Sequence, residues 1–186
     1  MAEIQLAGTS LASESGGTIT INNGTLSSGV VFPAGHVIQT VWNIKSDEAS
    51  TSTNSTTASI TVDSGNNEEW FVTISDLITG SKVLLLFHFP ARTNSSDNLT
   101  LSGFGICRDS ISNHIYTASD ARFGLVNGAS GSIDFRSYLT LVYIDTPTSS
   151  SHTYKLTQRS ISSGDYTTVQ SGSESPAIFV AQEIAQ

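Results

Sequence analysis

The chain has 186 residues, 38% of them hydrophobic, and a single cysteine, Cys107. That is about the length of one domain and enough to bury a core without staples, and a lone cysteine excludes an intrachain disulfide. The formal net charge of −8, with lysine and arginine scattered singly, gives a field that repels phosphate backbones and anionic lipid headgroups, so neither nucleic acid nor membrane is an expected partner.

Only 13% of residues are charged, whereas serine and threonine fill more than a quarter of the chain, a composition that suits β-structure. No stretch approaches the roughly 20 apolar residues of a membrane helix. The N-terminal MAEIQLAGTS has neither a basic region nor an apolar signal core, so a soluble product made in a cytoplasm is expected.

In chain order, residues 1 to 29 are rich in Gly, Ser and Thr and read as an arm. Within it Thr18-Ile19-Thr20-Ile21 alternates with period two and runs into the turn signal Asn22-Asn23-Gly24, which predicts one short strand. Ile4, Leu6, Leu11, Ile19 and Ile21 are the apolar residues by which such an arm could attach to a partner surface.

From residue 30 onward, short β-patterned runs recur between clusters of Gly, Ser, Asn, Asp and Pro. They are Val37 to Lys45, Thr57 to Asp63, Trp70 to Ser75, Lys82 to Pro90, Leu99 to Arg108, His114 to Thr117, Ser132 to Asp145, Thr153 to Ser160, Tyr166 to Ser171 and Ala177 to Ile184. With no sustained helical spacing, they predict an all-β antiparallel sandwich, and Ile74 to Leu77 is the best candidate for a helical turn. Residues 46 to 56 read as a solvated loop, and 64 to 69 and 146 to 151 as tighter turns.

A strand in such a sandwich should be apolar on one face and polar on the other. Tyr154 and Leu156 alternate with Thr153, Lys155 and Thr157 in this way, as do Ala58, Ile60 and Val62 with Thr57, Ser59 and Thr61. Three runs are apolar on both faces. Lys82 to Pro90 sets Val83, Leu85, Phe87 and Phe89 against Leu84, Leu86 and His88, Tyr138 to Ile144 sets Tyr138, Val142 and Ile144 against Leu139, Leu141 and Tyr143, and Ala177 to Ile184 reads AIFVA in its middle. Several large apolar side chains left wet would forgo several kcal/mol, at about 25 cal/mol per Å², so a second burying surface is expected, either an arm or loop of the same chain or another subunit. The reading is a homotrimer in contact through Leu84, Leu86, His88, Leu139, Leu141, Tyr143 and Phe179.

VVFPAGHVIQTVW at 30 to 42 resembles the opening of the jelly-roll domain found in structural and fibre proteins of cyanophages and other marine tailed phages. ITGSKVLLLFHFPAR at 78 to 92, the Arg-Asp turn in ICRDSISNHIY at 106 to 116, YIDTPTSSSHTYKLTQR at 143 to 159 and SPAIFVAQEIA at 175 to 185 fit the same pattern in order. The resemblance implies a fold similar to tumour necrosis factor and complement globular-head domains, assembled as a trimer and displayed on a virion. It brings no catalytic residues. With about 30 residues ahead of the domain and no shaft, the expectation is a capsid decoration or head-fibre protein, residues 1–29 forming the arm and 30–186 the jelly roll. Its partners would then be copies of itself and the major capsid protein or other virion proteins.

The remaining side chains point away from catalysis. His36, His88, His114 and His152 fall on separate runs without metal-ligand spacing, so no metal is expected. Neither Glu68-Glu69 with Asp145 nor Asp63, Asp109 and Asp120 forms a recognisable acid-base or Ca²⁺ pattern. No Gly-x-Ser-x-Gly elbow or phosphate loop is present, and Gly103-Phe104-Gly105 lacks the context of a dinucleotide site. A non-enzymatic protein without cofactor is expected, with Cys107 a buried inert thiol. The rival reading is a tail-fibre receptor-binding tip or adhesin that holds host-surface glycans on loops 46–56, 92–98 and 119–131, where Trp42, Trp70, Tyr116, Phe123 and Tyr166 could supply stacking. Against it, Trp42 and Trp70 occupy apolar-face positions and read as core.

Overall fold

A computed structural model of the chain describes residues 2–6, 9–15, 18–21, 33–46, 59–61, 69–95, 100–116, 126–127, 133–160, 166–169 and 176–186. The chain divides into two compact units, Met1–Phe32 and Pro33–Gln186. In the first, strands β1 (Ala2–Leu6), β2 (Thr9–Ser15) and β3 (Thr18–Ile21) form an antiparallel sheet in the order β1-β2-β3. Ile4 lies opposite Ala12, and Ala12 opposite Ile21. The strand expected at Thr18 to Ile21 is therefore accompanied by two more, which the small polar residues of TSLASES conceal. The side chains of Ile4, Leu6, Leu11, Ile19 and Ile21, and the turn at Asn22-Asn23-Gly24, lie outside the described residues.

The second unit is all-β. Its strands are β4 (Val37–Lys45), β5 (Ser59–Ile60), β6 (Phe71–Ile74), β7 (Lys82–Ser95), β8 (Thr100–Arg108), β9 (His114–Tyr116), β10 (Val126–Asn127), β11 (Ile133–Asp145), β12 (His152–Ser160), β13 (Tyr166–Val169) and β14 (Ala177–Ile184). One antiparallel sheet has the order β11-β7-β14-β4, with β13 also paired to β7. The other has the order β10-β8-β12-β5, with β6 also on β12 and β9 on β8. No helix interrupts them among the described residues. The expected helical turn is absent because β6 ends at Ile74 and Asp76 takes a left-handed φ of 57°.

The sheets face each other across one apolar core, as a sandwich requires. Val83, Leu85, Phe87 and Phe89 of β7 point inward with Phe179 and Ala181 of β14, and meet Val72 and Ile74 of β6, Phe104 and Ile106 of β8, and Tyr154 and Leu156 of β12. The rings interlock edge to face, Phe87 against Phe179 at 4.6 Å and Trp70 against Phe179 at 6.0 Å, the geometry that aromatic quadrupoles favour. Pro90, which has no N–H for a sheet ladder, falls between the last β7 residue paired to β14, His88, and the first paired to β13, Ala91.

Side chains close one edge of the sandwich. On edge strand β4, the Asn43 amide donates to the Phe71 carbonyl at 2.8 Å and the Gln39 amide to the Ser75 carbonyl at 2.7 Å, both on the opposite sheet. Nearby, Glu183 is fully buried, with its carboxylate accepting from Ile78 N–H, the Ser81 hydroxyl and the Gln39 amide. These donors hold the turn before β7, where Gly80 supplies a φ of 91° that a residue with a Cβ rarely adopts.

Candidate interaction surface

Register determines which side chains of the β11-β7-β14-β4 sheet face away from the core. Across the strands, Trp42 lies beside Val180, Leu86 and Val142, Ile44 beside Ile178, His88 and Thr140, and Thr40 beside Gln182, Leu84 and Ile144. This outer face is apolar and wet: Trp42 is 66% exposed, Ile144 58%, Ile44 and Val142 54% each, Tyr138 47% and Leu86 38%. Cross-strand neighbours on one face lie about 5 Å apart, so these side chains form one patch. At its edge the Lys82 ammonium donates to the Thr146 hydroxyl at 2.8 Å. His88 is the imidazole within it, bonded through Nδ1 to the Thr140 hydroxyl at 2.8 Å and stacked on Tyr138 at 4.9 Å.

The residues expected at a trimer contact divide between the two faces. Leu84, Leu86 and His88 lie on the outer one. Leu141 and Phe179 do not: both are fully buried, because Leu141 pairs with Phe87 and Phe179 pairs with Phe87 on its other side, completing an inward row. Leu139 and Tyr143 share that parity and pack against the core. The correction exchanges the faces of β11, so that Tyr138, Val142 and Ile144 are outside. Trp42, read from sequence as core, is the most exposed large apolar side chain described, whereas Trp70 is fully buried.

Two polar clusters of the second unit are held together by internal hydrogen bonds, although the buried Nε of Arg108 has no hydrogen-bond partner. Arg108 forms an ion pair with Asp145 at 3.0 Å and also donates to the Thr146 carbonyl, and the Tyr154 hydroxyl donates to Asp145 at 2.8 Å. Burial, then the Asp145 charge, pushes the Tyr154 phenol far above its ordinary range. His152, almost fully buried, has Nδ1 at 2.7 Å from Asp109 and Nε2 at 3.2 Å from the Ser149 hydroxyl, an order of groups that superficially matches a hydrolytic triad. Yet Nε2 also accepts from the N–H groups of Thr148 and Ser149, so its lone pair is already engaged in closing the 146–151 turn. The Ser149 hydroxyl donates to the Ser151 carbonyl.

On the outer face of the other sheet, Lys155 pairs with Glu69 at 2.6 Å, the Thr73 and Thr153 hydroxyls bond at 2.9 Å, and a shallow open depression runs between these residues and Phe71 and Asp109. Cys107 is buried, and desolvation pushes its thiol up to about 11 despite the nearby Lys155. Among the described residues, no three His, Cys, Asp or Glu side chains are placed to hold a metal ion, and no helix is long and apolar enough to cross a membrane. Of the aromatics considered for sugar stacking, Tyr116 packs on Tyr143 at 5.6 Å, while Phe123 and the side chain of Tyr166 lie outside the described residues. So do most of the loops 46–56 and 119–131 and residues 96–98, while 92–95, expected as loop, continue strand β7.

No protein-family model matches the chain, and no curated protein does. Among solved structures, dimeric latent PorU from Porphyromonas gingivalis is similar at a TM-score of 0.37 and 10% identity, over 88% of this chain and 14% of that one. The chain thus spans a small part of that protein's length, and a likeness at this level carries no inference about function.

Proposed function

We propose that this protein is a non-enzymatic structural component of a bacteriophage virion. In this reading it is a homotrimeric jelly roll that decorates the capsid or forms a head fibre, and the first unit is its attachment arm. The observation that carries the reading is the apolar outer face of the β11-β7-β14-β4 sheet, a surface suited to protein contact and not to substrate chemistry. Two further features support it. Two antiparallel sheets that pack across one core, as here, are the layers a jelly roll needs. In the first unit, β1 and β3 are outer strands, each with one edge unpaired among the described residues, and such edges accept strand addition from a partner.

The test is deletion of residues 2–29. The truncated chain should remain a soluble trimer and should no longer decorate particles in electron micrographs of virions assembled with it. Full decoration by the truncated chain would remove the arm's role, and absence of the intact protein from purified virions would remove the reading as a whole.

A further inference from the structure

We propose that the outer face of the β11-β7-β14-β4 sheet seats a second copy of this chain, with Trp42 as its anchor. The proposal rests on the assembly reading above and assigns the two halves of the molecule different work, the sandwich face to self-contact and the N-terminal unit to the particle.

Area is the first argument. A large side chain carries about 150–250 Å². At the exposures of Trp42, Ile44, Leu86, Tyr138, Val142 and Ile144, the patch leaves on the order of 600 Å² of apolar surface wet. That is at the upper limit of what a typical monomer tolerates and close to the roughly 800 Å² per partner of a standard interface. The half-buried Leu84, Ile178 and Val180 lie within the same rows.

Charge selects the occupant. Each copy carries −8, so two copies approach favourably only through surfaces free of carboxylates. From Thr40 to Ile44, Leu84 to Pro90, Tyr138 to Ile144 and Ile178 to Gln182 the outward positions hold no carboxylate, and the ionisable groups there are the His88 imidazole and the Tyr138 phenol. A basic partner drawn by the acidic chain would find nothing to pair with on this face. A like-charged copy finds the one kind of surface it can approach.

Relief supports the choice of anchor. Trp42 and Ile44 stand on edge strand β4, and Tyr138, Val142 and Ile144 on β11 at the other side of the sheet, while Ile178 and Val180 on β14 are flanked on both sides and less exposed. Tryptophan is among the residue types enriched at interface hot spots, and Trp42 is the most exposed large apolar side chain of this face.

Sedimentation velocity on the full chain tests this, comparing wild type with Trp42→Asp, Val142→Asp and the opposite-sheet control Thr73→Asp, all checked for the native β circular dichroism spectrum. Wild type and Thr73→Asp should sediment as the same oligomer at about 10 µM, and the two face variants should be single chains, with dissociation constants raised at least about 100-fold. Should either face variant fail to fold, Trp42→Ser and Ile144→Ser replace them, and each should weaken association at least about 10-fold. An oligomer that survives folded face variants overturns this inference and leaves the assembly reading intact. Should assembly instead depend on residues 2–29, the self-contact belongs to the N-terminal unit and the inference is equally overturned. A wild type that is a single chain at that concentration overturns both, and if deletion of residues 2–29 then induces association, the occupant is the chain's own N-terminal unit.

Discussion

On the outer face of the β6-β12-β8 side of the sandwich, cross-strand neighbours are finished for water: Thr73 meets Thr153, and Lys155 reaches Glu69. On the outer face of β4, β14, β7 and β11, the corresponding neighbours are Trp42, Val180, Leu86 and Val142. Both sheets contribute to the same core, so folding the sandwich does not account for the second set. The contrast teaches that alternation along a strand reports how many of its faces are covered, and only cross-strand register reports which face meets the core.

Truncating one residue on each side of the same sheet separates the two faces most strongly. Phe179→Ala removes a fully buried ring from between Phe87 and Trp70 and should cost about 3–5 kcal/mol in urea unfolding. Val142→Ala, measured at concentrations low enough for single chains, should cost about 0.5 kcal/mol or less. Equal losses would mean the faces are assigned the wrong way round.

A second contrast sets buried polar groups against exposed ones. Asp145→Asn leaves the Arg108 guanidinium and the Tyr154 hydroxyl facing an uncharged group and should lower stability by about 2–3 kcal/mol. Lys155→Gln disturbs the pair with Glu69, which is partly open to solvent, and should cost less than about 1 kcal/mol. Thermal unfolding of the two variants side by side checks the order, and a larger loss for Lys155→Gln would contradict it.

The smallest effect lies at Asp109. Burial acts to raise its carboxyl, but the Thr153 N–H and the His152 imidazole outweigh burial and hold it below its ordinary 3.8. The unfolded chain therefore takes up this proton first as pH falls. Stability from Asp109 is complete above about pH 4 and is lost as pH drops through the lower folded value. Asp109→Asn should flatten the melting temperature between pH 4 and 2 by a few degrees and change its slope little at neutral pH. An acid limb identical to wild type would show that the contact contributes nothing.

Much of the fold was legible in the sequence. The runs at Val37–Lys45 and Ala177–Ile184 match strands residue for residue, and that at Thr153–Ser160 lacks only His152, whereas the run ended at Pro90 continues to Ser95, because β7 carries the proline between its pairings with β14 and β13. The double apolarity of β7, β11 and β14 is legible too, and on β7 His88 is the polar member of the outward row. On β11 the outward row is Tyr138, Val142 and Ile144, not the expected Leu139, Leu141 and Tyr143. Asp145 has the parity of Leu141 and Tyr143 and makes that row look solvent-facing, yet its carboxylate turns inward to Arg108 and Tyr154. Only the long-range pairing of Leu141 with Phe87 reveals this, and composition holds no trace of it. Nor does spacing announce the closed polar groups: Asp109 and His152 are 43 residues apart and meet because β8 and β12 end together.

Cys107 gives the molecule a built-in gauge of its own breathing. With a titration point near 11, about one thiol in ten thousand is ionised at pH 7, and none of its side chain is open to reagent. Cys107 has the parity opposite to the inward Phe104 and Ile106 and lies beside Lys155 and His114, so alkylation must wait for a local opening around β8, and its rate in excess maleimide reports those openings.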